Sequence, residues 1–278
     1  MQKLPLPSRE GVGREKPNIM ADKMGIRYII STRSISKDFN LAYETIRNNG
    51  FYVEVDCEHL KDYMTMNVEP YSIHLPYDNI HLTDPNDRIR KESVLRIIEE
   101  LQKAHSKNVK LAVLHIEGGY DSSPRIPIEE KVRYFKIAAS EILERADKFG
   151  IKIALENNGY IKDSFAKPEE ILLIIKDLAN KYTNVGICFD IGHANVYAHD
   201  SGEDLITVLE KLREYIIHVH IHENHGEEDE HLPPQGIFNN AFYRSLLSLH
   251  NASFTFETKG PSGMGGIIKG KEFIEQIS

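Results

Sequence analysis

The chain has 278 residues, 41% of them hydrophobic and 27% charged, with a formal net charge of -8. That length suits one domain with a sizeable core, and that composition excludes a disordered, collagen-like or coiled-coil chain. The mild acidity neither requires nor excludes a nucleic-acid partner, because several carboxylates sit where bound cations would offset them.

Residues 1–23 carry three prolines and several basic residues without apolar periodicity, which predicts a flexible extension ahead of a single domain over 24–278. From Gly25 onward, short apolar runs alternate with amphipathic stretches, the pattern of a parallel sheet. Strands are expected over 26–32, 51–57, 71–76, 109–115, 151–156, 185–191, 216–222 and 253–258. Helices are expected over 38–49, 129–149, 168–181, 203–215, 240–249 and 270–277, and around a stripe of Val94, Leu95, Ile98 and Leu101. In 129–149 the stripe is Val132, Phe135, Ala139, Ile142, Ala146 and Phe149, and Gly150 supplies a stop. Residues 58–70 read as a short, irregular connection. Eight strands alternating with helices predict an α/β protein of the closed (β/α)8 barrel type.

Cys57 and Cys188 both fall inside apolar runs, which predicts two buried thiols and a reducing, cytoplasmic setting. No stretch is apolar for long enough to span a bilayer, and the N-terminus lacks the apolar segment of a signal peptide, so no membrane association is expected. No obligate protein partner is evident either.

Residues of metal-binding type recur at the strand ends: His74, His115, Glu156, Asp190, His193, His220, Asp229, His231 and Glu257. One such residue alone is commonly a satisfied polar group. Their recurrence is what points to a metal centre, because a closed barrel brings successive strand ends to one mouth. Alternation puts His218, His220 and His222 on one inward face, with Val219 and Ile221 outward. Three inward histidines are too crowded for all to be ligands, so at least one should support a ligand or touch substrate. His225 belongs to the following loop. His59, His81, His105, His199 and His250 read as surface or structural.

Five segments carry a resemblance: Ile73-His-Leu-Pro-Tyr77, Leu155-Glu-Asn157, Phe189-Asp-Ile-Gly-His193, His220-Ile-His-Glu-Asn224 with Asp229-Glu-His-Leu-Pro-Pro-Gln-Gly236, and Phe256-Glu257. Together they resemble the xylose-isomerase-like TIM-barrel superfamily (AP endonuclease family 2), which includes endonuclease IV and many sugar epimerases and isomerases. The resemblance implies a divalent-metal enzyme and leaves two chemistries open. In the isomerase and epimerase branch, Glu156, Asp190, His220 and Glu257 would hold one Mn2+, Co2+ or Mg2+. Glu156 and Glu257 would then be the catalytic pair, exchanging a proton beside the carbonyl of a sugar or sugar phosphate. In the endonuclease IV branch, His74 and His115 would share a second ion with Glu156 as bridge, and His193, Asp229 and His231 would hold a third. That set implies two or three Zn2+ and a phosphoester substrate such as damaged, abasic DNA. A cluster of divalent cations suits phosphoester hydrolysis because it makes hydroxide available near neutral pH and offsets charge on the phosphate oxygens. All five added positions carry the fitting residue type, which places hydrolysis ahead of isomerisation.

The sequence also departs from endonuclease IV. Glu156-Asn-Asn-Gly-Tyr160 stands where a small residue and glycine usually follow the glutamate. Asp190-Ile-Gly-His193 replaces Asp-Thr-Cys-His, and His220-Ile-His-Glu replaces His-x-Asn-Asp. The acidic run Glu227-Glu-Asp-Glu230 is unfavourable for a DNA backbone. Tyr77 matches a tyrosine that lies at the DNA, or is packed. His222 and Lys259 are further candidates for contact with substrate or support of the ligands. The glycine-rich stretch from Lys259 to Gly266 stands where TIM barrels often cradle phosphate, although an ordinary flexible loop is its plainer reading.

Overall fold

The computed structural model describes residues 27–35, 39–65, 67–118, 125–160, 162, 164–259 and 263–277. The extension expected over 1–23 lies outside them. Eight parallel strands pair in chain order: β1 (Arg27–Ser31), β2 (Tyr52–Asp56), β3 (Ser72–His74), β4 (Leu111–His115), β5 (Lys152–Glu156), β6 (Val185–Asp190), β7 (Ile216–Ile221) and β8 (Ser253–Phe256). β8 pairs back with β1, Arg27 against Ser253, and closes the barrel. Every expected strand is present, trimmed at its ends.

The helices are α1 (Phe39–Asn48), α2 (Asp87–Ser106), α3 (Ile128–Phe149), α4 (Pro168–Lys181), α5 (Ile191–Ser201), α6 (Leu205–Leu212), α7 (Asn240–Leu247) and α8 (Gly263–Ile277). Between β2 and β3 the described chain has only a short 3-10 turn, Tyr63–Thr65. Among the described residues, no helix is long and apolar enough to cross a membrane.

Helix α3 follows its sequence closely: Val132, Phe135, Ala139, Ile142 and Ala146 are buried, at the spacing that keeps one helical face on the barrel. Gly150 ends it in the left-handed conformation, φ 68°, and donates its N–H to the carbonyls of Ala146 and Asp147. In α2 the buried stripe is instead Val94, Ile97, Leu101 and Ala104, and Leu95 is 59% exposed. The Asn86 side chain caps this helix at Arg88 N–H.

Two elements differ from expectation. α5 is a helix where none was expected. It is covered on several sides, so Ile191, Gly192, His193, Ala194, Val196, Tyr197 and Ala198 are all buried and no amphipathic stripe marks it. α8 starts at Gly263 rather than at 270, so the glycine-rich stretch is helical from that point and not a loop. Residues 260–262 lie outside the described residues. Further along α8, Gly270 packs closely, because a Cβ there would come within 2.8 Å of Pro234 Cδ.

The main core lies between barrel and helices, where Val219, Ile221, Phe189, Phe254 and Phe256 point outward from the strands. Within the barrel, Leu111, Val113, Ala154 and Cys188 form a smaller apolar cluster. Cys57 and Cys188 are both free and buried, as expected. Ile142→Ala would empty a fully buried site between α3 and the barrel. It should cost about 2–5 kcal/mol, read as a lower urea midpoint with an unchanged denaturant slope.

Candidate metal centre

The strand period decides which side chains reach the barrel interior. Along β7 and the residue that follows it, His218, His220 and His222 alternate inward, each 0% exposed, at successive depths rather than side by side. This separation in depth relieves the crowding expected from three inward histidines. His218 is the deepest: its Nδ1 is 2.7 Å from Ser253 Oγ and its Nε2 is 3.0 Å from Glu54 Oε2. It therefore belongs to a buried polar layer with Ser72 and Thr255 beneath the mouth, where Ser72 Oγ donates to Glu54 Oε2 at 2.7 Å.

His220 lies one layer higher, at the centre of a carboxylate ring. Its Nδ1 is 3.2 Å from Glu156 Oε1, 3.6 Å from Asp190 Oδ2 and 3.5 Å from Glu257 Oε2, while its Nε2 is 3.1 Å from Glu54 Oε1. The ligand-type atoms of Glu156, Asp190, His220 and Glu257 all lie within 4.8 Å of one another. The other oxygen of Glu156 faces a second group: Oε2 is 3.1 Å from His74 Nε2 and 3.0 Å from His115 Nε2. Glu156 thus has one oxygen in each of two adjacent clusters.

A third cluster gathers around Asp229 in the β7–α7 connection, where the ligand-type atoms of His222, Asp229 and His231 also fall within 4.8 Å of one another. His231 Nε2 is 2.7 Å from Asp229 Oδ2, and His193 Nε2 reaches the same oxygen at 3.4 Å from the first turn of α5. The grouping expected here, His193, Asp229 and His231, is brought together, and His222 joins it. Asp190 both faces the ring and caps α5, accepting from His193 N–H at 2.7 Å.

The connection is held by Glu223, whose side chain is fully buried. It accepts from the backbone N–H of Gln235 at 2.7 Å, from those of Gly236 and Phe238 at 3.2 Å, and from Tyr243 Oη at 2.7 Å. A short antiparallel bridge pairs Glu223 with Leu232. His231 itself sits at φ 54°, a left-handed conformation that histidine adopts more readily than most residues. Its Nδ1 is 2.7 Å from the Glu257 carbonyl.

Burial raises the cost of every charge here, and the side chains answer by pairing. Burial alone would push the Glu156 carboxyl up, yet His115 and His220 hold it well below the usual carboxylate range. Burial opposes protonation of His74, and the Glu156 carboxylate overrides it, pushing the imidazole up to about 9. Asp229 is likewise held low against burial by His193 and His231. Buried atoms without a hydrogen-bond partner include His222 Nδ1 and Asp229 Oδ1. Imidazoles and carboxylates converging in this way, with buried lone pairs left over, fit divalent cations such as Zn2+ or Mn2+.

Tyr77 is half-buried against His74 and His115, ring centroids 5.5 and 5.2 Å away. Lys259 is exposed at the mouth, its ammonium pKa lowered by partial desolvation and by Arg33. The sequence reading missed Arg33 and Glu54. Arg33 follows β1, with Nη1 3.2 Å from Glu257 Oε1 and Nε 3.2 Å from Asp56 Oδ2. Examining the strand ends for cations as well as for ligand types would have found it. Glu54 was signalled by an acidic residue inside the apolar run Tyr52-Val-Glu-Val-Asp56. His59, His105, His199, His225 and His250 are exposed and His81 is half-buried, in keeping with surface or structural roles.

Residues 39–277 match the family described as the xylose isomerase-like TIM barrel. The chain belongs to that family. Members of its superfamily are enzymes, endonuclease 4, epimerases and isomerases among them, and family members bind divalent metals. An uncharacterized protein of Methanocaldococcus jannaschii is 35% identical over 167 residues, 58% of this chain and 53% of that protein. A probable endonuclease 4 of Acholeplasma laidlawii is 26% identical over 164 residues, 56% of this chain and 53% of the other. The chain thus spans about half the length of these two relatives. A D-tagatose 3-epimerase-like protein of known structure is 27% identical, with a TM-score of 0.74 over 91% of this chain and 97% of that one.

Glu223→Ala would leave the buried Phe238 N–H and Tyr243 hydroxyl without their acceptor, each worth about 1–3 kcal/mol when unsatisfied, and would free the part-exposed N–H groups of Gln235 and Gly236. The expected outcome is a lower melting temperature and faster proteolytic cleavage within 224–239, with the rest of the barrel resistant. Unchanged cleavage there would show that Glu223 does not hold the connection.

Proposed function

We propose that this chain is a divalent-metal-dependent phosphoester hydrolase whose centre holds two or three ions of zinc type, acting on abasic DNA or a related phosphoester. The observation that carries this reading is the position of Glu156, one oxygen toward His74 and His115 and the other toward His220. A carboxylate so shared suits a bridge between neighbouring cations, and a one-metal isomerase has no evident use for the His74–His115 pair. His74, His115 and Glu156 would hold one ion, Glu156, Asp190, His220 and Glu257 the next, and the Asp229 cluster a third. Bound cations would supply Lewis acidity, a lowered pKa for water and charge to offset phosphate oxygens.

The remaining side chains suit an anionic substrate. Arg33 fixes Glu257 through Nη1 and lies with its guanidinium carbon 5.7 Å from the Tyr77 ring centroid. Arg33 and Lys259 bring positive charge to the rim, where a phosphate could be held and oriented before reaction. Tyr77 covers His74 and His115 and would limit access of bulk water to them.

A second reading, isomerisation or epimerisation of a sugar or sugar phosphate around one ion, is favoured by the convergence of Glu156 and Glu257 on His220 Nδ1. The likeness to the D-tagatose 3-epimerase-like protein and the acidic Glu227–Glu230 run also support it.

The deciding experiment combines elemental mass spectrometry of the purified protein with three assays: nicking of abasic duplex DNA, release of phosphate or alcohol from small esters, and solvent-proton exchange into ketoses. We expect two or three zinc ions per chain and phosphoester cleavage. His115→Ala should lower that cleavage by more than ~100-fold, beyond the 10–100-fold typical of losing a group that only supports a ligand. One ion per chain together with proton exchange that survives His115→Ala would replace this reading with the second.

A further inference from the structure

We propose that His222 is itself a metal ligand, completing a four-ligand site with His193, Asp229 and His231, and that Gly192 is the residue that admits it. This rests on the metal-centre reading above and goes beyond the ligand set that the family resemblance implies.

The first observation is the tautomer that each imidazole is set up to adopt. His193 Nδ1 is 2.8 Å from the Asn157 carbonyl and His231 Nδ1 is 2.7 Å from the Glu257 carbonyl, so both rings donate through Nδ1 and keep Nε2 as a lone pair. His222 is held the other way round, with Nε2 3.0 Å from the Asp190 carboxylate, which leaves Nδ1 as its lone pair. All three free nitrogens face Asp229: His193 Nε2 at 3.4 Å, His231 Nε2 at 2.7 Å and His222 Nδ1 at 3.6 Å. Orientation of a ligand histidine by an acceptor on its far nitrogen is the usual support of a metal site.

The second observation is independent of the first. His222 Nδ1 and Asp229 Oδ1 are both buried without a hydrogen-bond partner, and they face one another at a distance too long for a hydrogen bond. Buried polar groups are rarely left so. A cation held between them would satisfy both.

The third observation joins two departures from the endonuclease IV motifs. Gly192 stands within the first turn of α5, in a conformation open to any residue, where glycine is a weak helix former. Space is the reason for it. A Cβ at 192 would lie 1.9 Å from His222 Cε1 and 2.3 Å from its Nδ1. Asp190-Ile-Gly-His193 and His220-Ile-His222 are therefore one structural change, a side chain removed from α5 and an imidazole added just after β7. The consequence is chemical. Three protein ligands leave a zinc ion an open position for water or substrate, whereas four close it. The third site here would be a closed, structural site, and substrate would engage only the Glu156-bridged positions.

The test compares wild type, His222→Asn and Gly192→Ala, each stripped with chelator, reloaded with zinc and checked for native circular dichroism. Zinc per chain is counted by elemental mass spectrometry, and affinity is measured by competition with a chromophoric chelator. Both variants should lose one zinc ion per chain or bind it at least ~100-fold more weakly, with the remaining ions unaffected. Gly192→Ala supplies a second route, because alanine favours the helix while its methyl group displaces the ring. Wild-type stoichiometry and affinity in both folded variants would overturn the proposal while leaving the metal-centre reading intact. A wild type that takes up no zinc would overturn both.

Discussion

Burying Glu54, Glu156, Asp190 and Glu257 inside one barrel is the constraint around which the molecule is organised. Each carboxylate loses its hydration there, and none could stay ionised without positive charge or donors close by. The inward histidines of β3, β6–α5 and β7, together with Arg33, answer that demand within the protein. Cations would answer it more completely, since imidazoles released from protonation become ligands. The same side chains thus offset one another's charge and would be placed to bind a cation.

Rigidity comes from the far side of each group. His74 Nδ1 is 3.0 Å from the Leu75 carbonyl, and His231 Nδ1 is 2.7 Å from the Glu257 carbonyl. Asn157 pairs with the Asp190 backbone in both directions, accepting from its N–H at 2.8 Å and donating to its carbonyl at 3.1 Å. That exchange locks the ends of β5 and β6 together where two of the carboxylates emerge. Groups positioned in this way lose little freedom on binding, which is the physical meaning of a preorganised site.

Much of this was legible in the sequence, for identifiable reasons. Period-2 alternation and β-branched runs mark strands whichever neighbours they pair with, so all eight were found and the ligand-type residues at their ends followed. α5 was not legible, because a helix covered on several sides shows no polar face. The buried stripe of α2 was not legible because Leu95 and Ile97 are equally apolar, and the local sequence does not choose between them. Arg33 is a cation rather than a ligand type, and Glu54 lies in the middle of β2 rather than at its end, so neither belongs to the pattern of ligand types at strand ends. The contact between Gly192 and the His222 ring joins positions thirty residues apart in the chain, and no periodicity could reveal it.

The seam between β1 and β8 has a consequence in time. Beside it, Arg33 ties Asp56 at the end of β2 to Glu257 just after β8, so the first and last quarters of the barrel are fastened at the centre itself. During synthesis the early strands leave the ribosome long before Glu257 exists, and β1 then has only one of its two eventual neighbours. Neither the seam nor the complete carboxylate ring can form until the eighth strand has been made. Any set of ligands drawn from all of these strand ends would therefore be complete only in molecules that have closed.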